Sequence, residues 1–247
     1  MGEELNQLTE KLESNETERR RFVAAASHEL KTPLASIRLL SDSIVQSEGM
    51  DAGTMREFVS DIGGEAKRLQ RTTEKLLTLS RLDDEVSFVP EPVDMKQAAL
   101  DALTLLDPLA REKHVRLRSE LEEGCVVMGS RDDMDHILYN LIENAIKYNI
   151  PEGSVLVRLQ AGEDRVSLCV EDTGIGIPEA DRPNIFDRFY RVDKARSREA
   201  GGSGLGLSIV HDAVLAHSGS ITVGQNKPQG TVFTVQFPRA TSEETGI

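Results

Sequence analysis

Two groups of residues in this chain have the types and spacing that phosphoryl chemistry needs, and the first surrounds a histidine. The run Ser27–Ala35 reads Ser-His-Glu-Leu-Lys-Thr-Pro-Leu-Ala. A neutral imidazole presents one lone pair for attack on phosphorus, and a neighbouring carboxylate can accept the other ring N–H and orient the ring. His28 and Glu29 supply that pair. The surrounding apolar residues repeat with a helical period and His28 lies on the opposite face, which favours a solvent-facing nucleophile over an incidental surface histidine.

The second group begins with two amides and a lysine on a predicted helix. Asn140, Asn144 and Lys147 are spaced i, i+4 and i+7 and therefore share one face. An amide oxygen is a suitable ligand for Mg²⁺, and a lysine one turn further on can meet phosphate oxygens. We therefore predict Asn144 as a metal ligand. Taken alone, the motif would also fit asparagines that only cap a helix or face solvent.

Two glycine-rich segments complete the second group. Asp172 ends a predicted strand and is followed by Gly174 and Gly176, so a carboxylate that can accept a purine amine stands beside backbone that a ligand can approach closely. The later segment 201–207 runs into a helix, and its backbone N–H groups can cradle phosphate. Each segment is a weak signal alone, but together and in this order they predict an ATP site.

An aromatic and charged segment lies between the two glycine segments. Ile185–Arg191 holds two phenylalanines and a tyrosine, and a polar stretch to Ser203 follows. This pattern is typical of an anchored, mobile lid. Arg188 or Arg191 could stabilise the charge of a transferred phosphoryl group, with surface ion pairs as the alternative.

Two helices must position the histidine. Apolar stripes with a helical period cover residues 22–44 and 55–80, and a polar break with two glycines at 46–54 separates them. The pattern predicts an αα-hairpin in which Pro33 kinks the first helix just beyond His28. A lone hairpin leaves much of its apolar surface in water, so we expect two copies to form a four-helix bundle, which makes the protein a homodimer.

A different pattern follows two prolines in the segment 83–92. Short apolar runs alternate with helical stretches, which predicts an α+β sandwich with helices on one face of a mixed sheet. Strands are expected at 89–93, 115–121, 126–129, 154–161, 165–172, 220–224 and 230–237, and helices at 95–113, 131–148 and 204–217. The predicted domains are 1–20 (N-terminal coiled-coil or linker helix, with a frayed solvated helix as the alternative), 21–83 (hairpin), 84–92 (linker), 93–238 (ATP-binding domain) and 239–247 (disordered tail).

Composition narrows the class of protein. Lys and Arg number 29 against 42 Asp and Glu, a net charge of −13, which argues against binding to nucleic acid. Cys125 and Cys169 lie in apolar, strand-like runs and are expected to be buried thiols rather than a disulfide or a metal site. We find no apolar run of the roughly 18–20 residues that a membrane span needs and no signal peptide, so we expect a soluble, cytoplasmic chain.

These motifs resemble those of the sensor histidine kinases of two-component signalling over about residues 20–238. The correspondence follows the family's order: Ser27–Leu34 with the phosphoacceptor box, Asn140–Tyr148 with the N box, Asp172–Ile177 with the first glycine box, Ile185–Arg191 with the phenylalanine box, and Gly202–Leu207 with the second glycine box. One departure is Ser218, where the family often has a glycine after the position of His217.

The resemblance implies a phosphotransfer hairpin and an ATP-binding domain of the Bergerat type. His28 would be phosphorylated from Mg-ATP and pass the group to an aspartate on the receiver domain of a response regulator. Glu29 would assist autophosphorylation, and Thr32 would position water for dephosphorylation of the regulator. The family also implies a membrane sensor upstream, so that this chain is a cytoplasmic fragment of a protein anchored at the bacterial inner membrane. The implied nucleotide-binding residues are Asn140, Asn144, Lys147, Tyr148, Asp172, Gly174, Gly176, Ile177, Phe186, Phe189, Gly202, Ser203, Gly204, Leu205, Gly206 and Leu207.

Two other functions remain open at this point. ATPases of the same fold use a glutamate four residues before the metal-binding asparagine to activate water, whereas this chain has Asn140 there. Glu143 is nearby in sequence, but we expect it to point to a different side of the helix. A dimeric scaffold with an inactive ATP site is the other alternative, although none of the motifs is broken.

Overall fold

The computed structural model describes residues 2–47, 49–83, 89–193 and 203–241. The chain forms two compact units that divide between Leu77 and Thr78. Four predicted features lie wholly or mostly outside the described residues, namely the linker, the polar stretch of the lid, Gly202 and the last part of the tail. No described helix is both long enough and apolar enough to cross a membrane.

The first unit is a helical hairpin, as predicted. Helix α1 spans Gly2–Gln46, and helix α2 begins at Ala52 and continues to Asp83. Residues 2–20, which the sequence suggested as a separate short helix, are continuous with α1, since neither glycine nor proline occurs between positions 3 and 32. The predicted break is confirmed between α1 and α2.

A capping aspartate begins α2. The Asp51 carboxylate accepts the hydroxyl of Thr54 at 2.6 Å and the backbone N–H groups of Gly53 at 2.8 Å and Thr54 at 3.0 Å. These bonds, the hydroxyl of Thr54 first, hold the pKa of Asp51 below its ordinary value. Gly49 adopts a φ of 96°, a left-handed conformation that suits the turn before this cap.

The second unit is an α+β domain, as predicted. Its strands and helices are, in order, β1 (Glu91–Asp94), α3 (Met95–Glu112), β2 (Arg116–Leu121), β3 (Val126–Gly129), α4 (Arg131–Lys147), β4 (Ser154–Ala161), β5 (Arg165–Asp172), a short 3-10 turn (Arg182–Asn184), α5 (Gly206–Ala216), β6 (Ser220–Gln225) and β7 (Thr231–Pro238). A five-stranded sheet has the order β2-β4-β5-β7-β6, and β1 pairs with β3 in a separate two-stranded sheet. Only β2 and β4 are parallel among the paired strands described, so the sheet is mixed.

One face of the five-stranded sheet carries the core. Along β5, Val166, Leu168 and Val170 are buried and alternate with the partly exposed Ser167 and Cys169. Helices α3, α4 and α5 pack on the buried face and share one apolar core with it. The expected helices on one face of a mixed sheet are therefore confirmed.

The opposite face of the sheet is polar. Arg158 of β4 donates to Glu120 of β2 at 2.8 Å and to Glu171 of β5 at 2.6 Å, so one guanidinium bridges three strands. Cys169 lies on this face and is only partly buried, which corrects the expectation of two buried thiols, whereas Cys125 is buried. Both cysteines are free, and burial raises the pKa of each thiol.

Two element starts in the second unit differ from the prediction by two residues, and the other bounds there agree within one residue. Strand β1 begins at Glu91 rather than at Val89, because Glu91 pairs with Gly129, the last residue of β3. Helix α5 begins at Gly206 rather than at Gly204, whose φ of 73° is left-handed and not helical.

A buried histidine ties the end of α5 to the start of α4. The Nε2 atom of His217 accepts the backbone N–H of Ser130 at 3.0 Å, and Nδ1 lies 2.8 Å from the carbonyl oxygen of Ala213. With Nε2 as an acceptor, the ring N–H at Nδ1 donates to Ala213. Ser130 caps α4 by accepting the N–H of Asp133. The two helices are therefore fixed to each other at these ends.

Helix α5 ends with a left-handed residue. Ser218 has a φ of 55°, its N–H donates to Leu215 at 3.0 Å, and the N–H of Gly219 donates to Val214 at 2.9 Å. This is the Schellman arrangement, whose left-handed position usually holds glycine. This left-handed conformation explains why a glycine would suit the position of Ser218.

We expect Ser218→Gly to raise the free energy of unfolding by about 0.5–1 kcal/mol, because glycine removes the left-handed penalty while adding some entropy to the unfolded chain. Chemical denaturation measures the change. Ser218→Ala is the matched control and should bring no gain, since alanine keeps the penalty. Equal effects of glycine and alanine would contradict the interpretation.

Candidate active site

The predicted nucleophile lies on α1 and is exposed. His28 and Thr32 are exposed, whereas Glu29 is half-buried and so shares the outward face less fully than expected. The Thr32 hydroxyl donates to the carbonyl oxygen of His28 at 3.1 Å. Helix α1 continues through Pro33, which is buried and offers no N–H to the carbonyl of Glu29. The imidazole is thus accessible on a continuous helix.

Helix α4 brings an amide against the start of α5. The side chain of Asn140 is almost fully buried, and its Nδ2 donates to the carbonyl oxygen of His136 at 2.8 Å. Its Oδ1 would lie 2.8 Å from a Cβ atom at position 206, so Gly206 permits the close approach. Asn144 is partly exposed, and among the described residues its side chain has no hydrogen-bond partner. That amide is available to a ligand.

The lysine of the same motif is already paired. Lys147 Nζ lies 2.9 Å from Glu143 Oε1, with the two side chains 16% and 10% exposed. The hydroxyl of Tyr139 also donates to this carboxylate oxygen at 3.2 Å. The expectation that Glu143 points to a different side is therefore wrong, because residues four apart on a helix are neighbours.

A buried carboxylate ends β5. Asp172 is 7% exposed, and its Oδ1 accepts the backbone N–H groups of Gly174 at 2.7 Å and Thr231 at 3.1 Å. Burial raises the pKa of Asp172, and the bonds from Gly174 and Thr231 partly offset that effect. The carboxylate is held in one orientation and can accept a further hydrogen bond from a ligand.

Glycines allow the backbone to close around Asp172. A Cβ atom at Gly174 would lie 2.3 Å from the carbonyl oxygen of Tyr148, and one at Gly230 would lie 1.9 Å from the carbonyl oxygen of Asp172. Gly176 and Gly230 have φ values of 75° and 128°, which other residues rarely adopt. Neither position 174 nor position 230 can hold a side chain without moving its neighbours.

Sequence analysis missed three residues on the far side of Asp172. Asn226 donates its side-chain N–H to the carbonyl oxygen of Asp172 at 2.8 Å, and Gly230 and Thr231 contact the same aspartate. Gly230 directly precedes β7 and Thr231 begins it, so a glycine at a strand start was the available signal. Strand pairing joins β5 to β7 across a long stretch of sequence, which local spacing does not reveal.

The aromatic segment is anchored to α5 and β7. Phe186 stacks on His211 with ring centroids 5.3 Å apart and meets Phe233 edge-on at 6.4 Å. The guanidinium of Arg188 lies 3.0 Å from the carboxylate of Asp212, so the ion-pair alternative holds for this arginine as described. Arg191 is half-buried.

Two left-handed residues meet where this segment ends and α5 approaches. Phe189 has a φ of 65° and Gly204 one of 73°, and the N–H of Phe189 donates to the carbonyl oxygen of Gly204 at 2.9 Å. A Cβ atom at Gly204 would lie 2.8 Å from the Phe189 backbone. A bulky residue with positive φ is strained and is typical of functional sites. Ser203, beside them, has a buried hydroxyl without a hydrogen-bond partner in the described part of the chain.

The remaining predicted residues support these contacts. Leu205 is fully buried, and Ile177 and Leu207 pack against the core. Tyr148 ends α4, and its carbonyl oxygen accepts the N–H of Ile175 at 3.0 Å. Within the second unit, the structure brings the N-box helix against Gly206, Tyr148 against the first glycine segment, and Phe189 against Gly204.

Comparisons with known proteins agree with this geometry. A family model for the "His Kinase A (phospho-acceptor) domain" matches residues 18–85, and one for the "Histidine kinase-, DNA gyrase B-, and HSP90-like ATPase" matches residues 129–241. The solved mycobacterial sensor histidine kinase MprB is 32% identical, with a TM-score of 0.54 over 61% of this chain and 97% of that one. The chain belongs to the sensor histidine kinases. This explains why the motifs of both units occur in one order.

Other relatives of this kinase are longer than the chain. The probable sensor histidine kinase TcrY of Mycobacterium tuberculosis is 39% identical over 226 residues, which are 92% of this chain and 47% of TcrY. The histidine kinase ThkA, solved in complex with the response regulator protein TrrA, has a TM-score of 0.72 over 93% of this chain and 66% of that one, and at 21% identity it shows the fold. This chain spans about half the length of the curated relatives it matches.

We expect Gly230→Ala to lower the free energy of unfolding of this kinase by about 2–4 kcal/mol, because the new methyl group would collide with the backbone of Asp172. Chemical denaturation measures the loss. Gly224→Ala in the neighbouring strand is the control, since a Cβ atom there meets nothing within 4 Å. Equal stability of the two variants would show that the contact at Gly230 is not restrictive.

Proposed function

We propose that this kinase binds Mg-ATP, phosphorylates its own His28 and passes the phosphoryl group to an aspartate on the receiver domain of a response regulator. The observation that carries the proposal is the buried Asp172, fixed by two backbone N–H groups and enclosed by glycines, in the same chain as an exposed histidine. An oriented acceptor of this kind suits the exocyclic amine of adenine. The structure of ThkA in complex with the response regulator protein TrrA supports a regulator as partner.

The residues of the second unit fit a nucleotide. We propose that Asp172 accepts from the adenine amine, and that the backbone from Ser203 to Gly206 holds phosphates at the start of α5. Asn144 fits a Mg²⁺ ligand because its amide is partly exposed and unpartnered in the described part of the chain. Bound Mg²⁺ would neutralise phosphate charge. The other proposed binding residues are Asn140, Lys147, Tyr148, Gly174, Gly176, Ile177, Phe186, Phe189, Gly202, Leu205 and Leu207.

The reaction at His28 needs few groups. One ring nitrogen of His28 attacks the γ-phosphorus of ATP while the bond from this phosphorus to the bridging oxygen breaks and ADP leaves. The carboxylate of Glu29 accepts a hydrogen bond from the N–H of the other ring nitrogen. Arg188 or Arg191 stabilises the charge on the transferred group. For Arg188 this requires release from Asp212. In a separate reaction, the dephosphorylation of the regulator, Thr32 positions the attacking water.

We further propose that two copies pair through the hairpin. Six large apolar side chains that are exposed in the single chain lie in line along one face of each helix, where a four-helix bundle would cover them. They are Val23, Leu34 and Val45 on α1 and Met55, Val59 and Leu77 on α2. We also retain, as proposals, the division into domains at 20, 83, 92 and 238 and attachment to a membrane sensor.

The structure disfavours the ATPase alternative. Position 140 holds an amide that is bonded to the helix backbone, where a water-activating carboxylate would be needed. The nearest carboxylate, Glu143, is paired with Lys147. Neither group is placed to serve as a base for water.

The deciding experiment incubates the protein with γ-labelled ATP and Mg²⁺ and maps the labelled peptide. We expect acid-labile, alkali-stable label on the peptide that contains His28, and its loss in His28→Ala with nearly unchanged ATP affinity. His114→Asn is the control, because this exposed histidine lies in the second unit and asparagine tolerates its left-handed backbone.

Three results would argue against the proposal. Label retained by His28→Ala would remove His28 as acceptor. Free phosphate without labelled protein would indicate an ATPase. Bound ATP with neither product would indicate the inactive scaffold.

Asp172→Asn tests adenine recognition. The Asn oxygen would keep the bonds from Gly174 and Thr231, which leaves an NH₂ group facing the adenine amine, so ATP affinity should fall at least about a hundredfold. Inosine triphosphate carries an oxygen acceptor in place of the adenine amine, so the variant should lose less affinity for it than for ATP. Calorimetry of both nucleotides checks this, and equal losses would show that Asp172 does not read the amine.

The same variant has a pH signature in stability. Because the pKa of Asp172 is raised in the folded state, the folded protein binds this proton more tightly than the unfolded chain does. The free energy of unfolding of the wild type should therefore fall as the pH rises from 3.8, the ordinary pKa, through the raised pKa. Asp172→Asn lacks this fall. Parallel stability curves for the two proteins would contradict the assignment.

A further inference from the structure

The pair formed by Glu143 and Lys147 has no place in the reaction as proposed above. Both side chains are largely buried, and the ammonium and carboxylate are 2.9 Å apart. Tyr139 donates to the same carboxylate oxygen, which fixes its position. A buried ion pair contributes little net stability, because the cost of desolvation offsets the attraction. Its position, one helical turn from Asn140 and next to Asn144, therefore calls for another explanation.

Because of this pairing, the carboxylate of Glu143 compensates the positive charge of Lys147 while no phosphate is present. A phosphate that approaches Lys147 must compete with a carboxylate already in contact with it. The competition is strong because both partners are shielded from water. Away from water the effective dielectric constant is lower, so opposite charges attract each other more strongly. Glu143 Oε1 is therefore the group with which a phosphate oxygen would compete for Lys147 Nζ.

We propose that Glu143 is a positioning residue that acts as a built-in counter-ion of Lys147 and weakens the hold of the site on nucleotide phosphates. The inference rests on the proposed ATP site. It assigns to Glu143 control of affinity rather than a chemical step. A lower affinity for phosphates favours exchange of ADP for ATP after each transfer.

The test compares Glu143→Gln with wild type by calorimetry of ATP, ADP and adenosine. The Gln oxygen keeps the bonds to Lys147 and Tyr139 but removes the negative charge, so ATP should bind about threefold to tenfold more tightly. Adenosine should bind as before, because it carries no phosphate. Asp132→Asn, an exposed charge change on the same helix, should alter neither. Glu143→Ser, which admits water beside Lys147, is the second variant and should tighten ATP in the same sense.

A double-mutant cycle assigns the effect to Lys147. In a Lys147→Gln background, Glu143→Gln should tighten ATP binding markedly less than it does beside the native lysine. The tightening should also persist in EDTA, since it does not require Mg²⁺. Tightening that appears only with Mg²⁺ would overturn the inference by assigning Glu143 to the metal.

The remaining outcomes separate this inference from the proposed function. Unchanged or weaker ATP binding in Glu143→Gln and Glu143→Ser, with wild type binding ATP, overturns the inference alone. A parallel loss of adenosine would indicate a merely structural role and also overturns it. Failure of wild type to bind ATP overturns the proposed function and the inference together.

Discussion

The candidate site depends on burying one carboxylate at the end of a strand. Asp172 lies where water cannot solvate its charge, so the protein supplies backbone N–H groups from both sides of it. This requires the chain after β5 and the chain before β7 to approach within contact distance. Only glycine fits at positions 174 and 230, since a side chain at either would overlap neighbouring backbone. The loops, the register of β5 with β7 and the exit from α4 all follow from this packing.

The same rule of close backbone approach recurs on the phosphate side. Asn140 reaches α5 because Gly206 has no side chain, and Gly204 accepts the N–H of Phe189 because both residues take left-handed conformations. At the other end of these helices, His217 joins α5 to the cap of α4. Helix α5 is therefore held to α4 at both of its own ends, by the start of α4 and by its middle, and these contacts position the residues between them.

Much of this arrangement could be predicted from sequence, and the failures have identifiable causes. Periodicity gave the hairpin and the order of strands and helices, because each has one apolar face. It could not show that Asn226 and Thr231 meet Asp172, since that contact depends on strand pairing over a long separation. It also could not give the partner of Lys147 or of Arg188. Ion pairing depends on side-chain direction and burial, which spacing alone does not supply.

The charged edge strand β2 affects whether the sheet can pair with a strand of another molecule. Strand β2 is an edge strand, and its outward residues Arg116, Arg118 and Glu120 are charged, while Arg158 links it to the next strands. An edge of this kind resists the addition of a foreign strand, because incoming charges would have to be desolvated. This protection applies to the β2 edge alone, since the opposite edge strand, β6, carries no charged residue. The two edges of the sheet therefore differ in how readily each could pair with a strand of another chain.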